Sequence, residues 1–137
     1  MSSFYIIIVA IVIVAIGSLL YFRYRPKIQK QTDSLYTDAL NAMLRADKRK
    51  AIILLRDVVK QDSDHVDAYL QLGNLLREED PQRAIKIHQM LTVRPNLTKT
   101  IKIEIYKSLA MDYEMVDSLE KARIEAELIL SIDKKNS

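Results

Sequence analysis

The chain contains no cysteine. Disulfides, a cysteine-ligated zinc and a cysteine nucleophile are therefore excluded. Glycine and proline are scarce, 2 and 3 among 137 residues, a composition that favours helices joined by few tight loops. There is no glycine-rich phosphate loop, and no serine has a His–Asp context. The two histidines, His65 and His88, lie far apart in sequence without partners that would make a metal site. Asp62, Asp64 and Asp67 lack the glycine turn and distal glutamate of a calcium loop. They read as charges at a helix N-terminus. Met43, Met90, Met111 and Met115 read as core filler. No catalytic constellation, metal site or cofactor site emerges, and the expectation is a non-enzyme.

Charge is missing from one stretch in particular. Residues 1–22 carry no charged side chain, and Phe4–Phe22 is apolar apart from Gly17 and Ser18. As a helix this segment spans ~28 Å at about 1.5 Å per residue, close to the ~30 Å hydrocarbon thickness of a bilayer. A lone segment in lipid must satisfy its own backbone, which selects a helix despite the many β-branched residues. A cleaved signal peptide requires a basic start and small residues at its end. Here the start is Met1-Ser2-Ser3, and Leu19, Leu20, Tyr21 and Phe22 close the segment. Arg23, Arg25, Lys27 and Lys30 follow, so the positive-inside rule places the C-terminal side in the cytoplasm. Pro26 discourages the helix from continuing. The expected division is a transmembrane anchor over residues 1–22, a basic tether over 23–31 and a helical domain over 32–137.

The helical domain reads as about three hairpins. In the first, Tyr36, Ala39, Leu40 and Met43 mark one inner face and Ala51, Leu54, Leu55 and Val58 the other, with the turn at Asp47–Lys50. In the second, Tyr69, Leu72 and Leu76 pair with Ala84, Ile87 and Leu91. Asp64 is positioned to cap the first of these helices, and Asp80 with Pro81 to open the second. Gly73 sits mid-helix at a cost of roughly 1 kcal/mol against Ala, which predicts a close crossing with Ala84. In the third, Thr98 or Thr100 opens a helix bearing Tyr106, Leu109, Ala110 and Tyr113. Asp117 with Glu120 forms an acidic capping box before Ala122, Ala126 and Ile129. Leu128, Ile129 and Ile132 lack an evident cover, so self-association through this end is expected. The fold class is all-α: an N-terminal transmembrane helix and an α-solenoid of helical hairpins.

The spacing Tyr69, Leu72, Gly73, Leu76, Ala84 resembles the tetratricopeptide (TPR) repeat. The runs LGNLLREEDPQRAIKIHQ, NLT and SLAMDYEMVDSLEKA resemble the first TPR units of the lipopolysaccharide assembly protein LapB family. Asn74, Arg77, Arg83, Lys86 and His88 extend that likeness to residues read as surface positions. The resemblance implies a membrane anchor followed by cytoplasmic repeats at the bacterial inner membrane. It also implies a role in regulating lipopolysaccharide synthesis, presenting the deacetylase LpxC to the membrane protease FtsH. The rubredoxin-like zinc module implied by that family has no counterpart within these 137 residues, which hold no cysteine; the sequence reads either as an N-terminal part of such a protein or as a short relative. The alternative is a membrane-anchored TPR receptor or assembly factor for another protein client, similar in layout to a mitochondrial import receptor.

First helices of TPR units line a groove. With Tyr69 and Leu72 turned inward, Leu70, Asn74 and Arg77 would face that groove, joined by Lys107, Met111 and Glu114 of the third unit. These six residues are the expected partner-binding site. Acidic and basic residues are interspersed from Lys48 to Lys135, so the net charge of +3 does not point to nucleic acid.

Overall fold

The computed structural model describes residues 2–134 and is all-helical there. Six helices follow one another: α1 Ser2–Leu44, α2 Lys48–Gln61, α3 Val66–Leu76, α4 Pro81–Thr92, α5 Lys99–Met115 and α6 Leu119–Lys134. The end of α1 pairs with α2, α3 with α4, and α5 with α6. Each hairpin packs against the next, so contacts run between neighbours along the stack. This is the quasi-one-dimensional arrangement of a repeat solenoid.

The first helix corrects one expectation. Residues 23–31 are not a break, because α1 runs unbroken from Ser2 to Leu44. A proline removes one backbone hydrogen bond and crowds one carbonyl. Pro26 has no glycine or capping residue beside it to stop the helix. The apolar part of α1 is exposed throughout, and it is long and apolar enough to cross a membrane.

Two apolar clusters hold the hairpins together. Ala39 of α1, Ile52, Leu55 and Val58 of α2, and Ala68, Leu72 and Leu76 of α3 form the first. Leu70, Ile85, Leu91, Ile105, Leu109, Tyr113 and Ala122 form the second. Helix α3 therefore contributes to both. A helix in the middle of a stack buries two stripes, whereas a helix at an edge buries one. Ala126, expected to face inward, is exposed, and Ala122 is the buried residue of α6.

Capping explains the turns. Asp47 accepts from Lys50 N at 3.1 Å, Asp80 from Arg83 N at 3.0 Å, and Thr98 from Ile101 N at 3.3 Å. Pro81 occupies the first turn of α4. Two expected caps differ. His65, not Asp64, caps α3: its Nδ1 accepts from Ala68 N at 3.2 Å, and its ring rests 4.5 Å from that of Tyr36. Asp64 instead accepts from Arg94 at 2.6 Å. Asp117 does not cap α6. It adopts φ 55° and ends α5, with Asp117 N donating to Glu114 O and Ser118 N to Tyr113 O, a Schellman closure. Ala46 closes α1 in the same way, at φ 57°.

Candidate partner-binding groove

The centre of the stack is a chain of polar contacts between the second and third hairpins. His88 of α4 is fully buried. Its Nδ1–H donates to Asp112 Oδ2 of α5 at 2.5 Å, and its Nε2 faces the Leu70 carbonyl oxygen at 3.3 Å. Asp112, also fully buried, accepts from Arg77 Nε at 2.6 Å through its other oxygen. Arg77 Nη2 then donates to Asn74 Oδ1 at 2.7 Å and to the Ser108 carbonyl at 3.3 Å. Ser108 Oγ donates to the same Asn74 oxygen at 2.9 Å. Among the described residues no buried side-chain polar atom lacks a partner. Such a satisfied network fixes the register of three helices.

This network explains Gly73. A Cβ there would stand 2.4 Å from His88 Nε2 and 2.7 Å from its Cε1. The close approach predicted at Gly73 is real, but its partner is the His88 imidazole, not Ala84. His88 itself is an interior residue, which corrects the surface reading.

The six predicted groove residues divide accordingly. Leu70 is only 5% exposed and belongs to the second core cluster, so it cannot line a groove. Arg77 is committed to Asp112 and acts as a structural tie between α3 and α5. Asn74 is held by its carbonyl oxygen. Because arginine only donates, the oxygen must face Arg77, which leaves the amide N–H groups for another acceptor. Lys107, Met111 and Glu114 form an exposed row on α5, with Met111 44% exposed.

Asn74 also lines a hollow of about 310 Å³ with Met43, Ala46, Lys48, Leu75 and Glu78. Met43 and Leu75 supply apolar surface, Asn74 an oriented amide, and Lys48 with Glu78 a charged wall closed at 3.0 Å. The hydrogen bond to Glu78 raises the Lys48 ammonium above its ordinary value, and the same contact lowers the Glu78 carboxyl. This arrangement can hold a backbone carbonyl and a small apolar side chain of another chain. Met43, Lys48, Leu75 and Glu78 are not among the predicted groove residues, since the hollow forms where the α1–α2 turn meets the end of α3. Among the described residues no group of three or more His, Asp or Glu side chains could hold a metal ion.

No protein-family profile matches the chain. It is 34% identical over 88 residues to lipopolysaccharide assembly protein B of Escherichia coli K12, an alignment covering 64% of this chain and 23% of that protein. The same-named protein of Haemophilus influenzae is 32% identical over 96 residues, covering 64% of this chain and 24% of that one. The chain thus spans about a quarter of the length of these curated relatives. The crystal structure of MamA superimposes with a TM-score of 0.66 at 20% identity, over 77% of this chain and 60% of that one. That likeness concerns the fold, a TPR-like solenoid. In sequence the chain is similar to lipopolysaccharide assembly protein B, and in fold it is a TPR-like stack of helical hairpins behind an apolar N-terminal helix.

Proposed function

We propose that the chain is a membrane-anchored, non-enzymatic TPR adaptor that acts in the regulation of lipopolysaccharide synthesis. The sequence likeness to lipopolysaccharide assembly protein B carries this reading. The apolar segment of α1 is the inner-membrane anchor, residues 23–31 form its basic juxtamembrane stretch, and residues 32–137 are the cytoplasmic TPR-like domain. The continuous α1 supports a domain held at a fixed distance from the bilayer instead of on a slack tether. Tethering raises the effective concentration of a bound client near a membrane partner without new contacts. The partners are an FtsH-like protease at the anchor and an LpxC-like client at the groove. The contact surface is the hollow at Asn74 and the row Lys107, Met111 and Glu114. No cofactor takes part.

The test is to delete the gene and follow LpxC by pulse–chase. Slower LpxC turnover, restored by the wild-type chain, supports the reading. Unchanged turnover removes the LpxC role and leaves the alternative, an anchored receptor for another protein client. A reporter fused after Lys134 checks the orientation: cytoplasmic activity is expected, and periplasmic activity contradicts it.

A further inference from the structure

A second hollow, about 620 Å³ in volume, lies beside the first. The ion pairs of Lys48 with Glu78 at 3.0 Å and Glu79 at 3.4 Å form the wall between them. Its lining differs in character. Ile52 and Leu76, both mostly buried, and Ile53, 53% exposed, provide an apolar floor. Arg49 and Arg56 form its basic rim. Neither guanidinium has an acidic partner among the described residues. Helix α2 as a whole carries Lys48, Arg49, Lys50, Arg56 and Lys60 against the single acid Asp57.

We infer that this hollow is a docking groove for an acidic amphipathic helix of another protein. The spacing defines the ligand. Arg49 and Arg56 are two turns apart, about 10.5 Å along α2, and Ile53 stands between them on the same face. A helix laid into the groove meets both guanidiniums with carboxylates seven residues apart and covers Ile53 with a leucine-sized side chain between them. Arginine favours this pairing because its fork matches carboxylate geometry.

Two other classes of partner fit less well. Nucleic acid is held by stacking platforms beside basic side chains, and this groove has no aromatic ring and includes Glu79 in its lining. An anionic membrane surface is met first by the other end of α2, which turns back along α1 so that Gln61 and Asp62 lie near Tyr21 and Tyr24. Arg56 and Arg49 stand further from the span, about 7.5 and ~18 Å along α2 from Gln61. The proposal goes beyond the adaptor reading and stands whether or not LpxC is the client.

The experiment pans a displayed library of helix-forming peptides against the full chain in phosphatidylcholine nanodiscs. Enriched peptides should carry acids seven apart around a leucine or isoleucine. Their affinity, read by fluorescence anisotropy, should fall at least tenfold in the R49E/R56E variant and weaken as salt rises. The R83E/K86E variant on α4 should bind as wild type, and all variants should keep the wild-type helical signal and melting temperature. Three results would overturn the proposal. One is the absence of acidic enrichment. Another is equal binding by R49E/R56E. The third is tighter binding through Arg49 and Arg56 to a single-stranded oligonucleotide or to phosphatidylglycerol nanodiscs than to the selected peptide.

Discussion

Replacing Gly73 by alanine should destabilise the domain even though alanine is the better helix former. The gain in helix propensity is about 1 kcal/mol. Against it stands a methyl carbon 2.4 Å from His88 Nε2, well inside contact distance. The imidazole has nowhere to go, because it is fully buried and joined to Asp112 at 2.5 Å, and Asp112 is joined to Arg77. Overpacking of this kind costs about 1–3 kcal/mol. Pushing the ring off Asp112 adds part of the ~3–5 kcal/mol that follows when a buried pair is broken. The net expectation is a loss of about 2–4 kcal/mol. At roughly 4–8 °C per kcal/mol for a domain of this size, the melting midpoint should fall by about 8 °C or more. The decisive assay is a double-mutant cycle with His88→Ala, followed by urea unfolding monitored through the helical signal. With the ring removed, Gly73→Ala should change sign and stabilise by up to about 1 kcal/mol. The same effect of Gly73→Ala in both backgrounds would show that His88 is not what the glycine accommodates.

Three further outcomes follow from other parts of the fold. Ala46 holds φ 57° where α1 closes, a conformation that costs an L-residue about 1–2 kcal/mol. Ala46→Gly should raise the unfolding free energy by about 1 kcal/mol, and a lower midpoint would contradict the closure described. Arg77→Glu places a carboxylate against buried Asp112 and should cost about 3–5 kcal/mol. Asn74→Ala should cost about 1 kcal/mol, so only the latter tests the groove without unfolding it; equal melting losses would refute the division of roles. Ile124, Leu128 and Leu130 are exposed along α6. Ile124→Lys with Leu128→Lys should reduce self-association in sedimentation, and an unchanged sedimentation coefficient would place any association elsewhere.

Much of the helical framework was legible. Apolar periodicity located the helix pairs, and Asp80, Pro81 and Thr98 opened helices as their chemistry predicts. The misreadings share physical causes. Pro26 discourages a helix from continuing, yet one lost hydrogen bond does not end a helix that has no terminating signal beside it. Leu70 falls on the groove side only if α3 buries a single stripe, whereas a central helix buries two. The pairing of His88 with Asp112 has no signature in sequence, since polar residues 24 positions apart meet only when two helices cross. The one available signal was Gly73, a costly residue whose reason had to be a neighbour. Asp64 loses its expected capping role to the adjacent His65, a shift too small for spacing to resolve, and Asp117 is taken up in the closure of α5.

The central claim is that the hollow and row around Asn74 capture the client of a membrane protease. Site-specific photo-crosslinking in cells whose FtsH is proteolytically inactive tests it most directly. A photoreactive residue at Leu75 or Met111 should form a covalent adduct with LpxC, while the same group at Lys86 on α4 should not. Loss of the adduct with Asn74→Ala is the accompanying expectation. No LpxC adduct at Leu75 or Met111, or equal adducts at Lys86, would contradict the account.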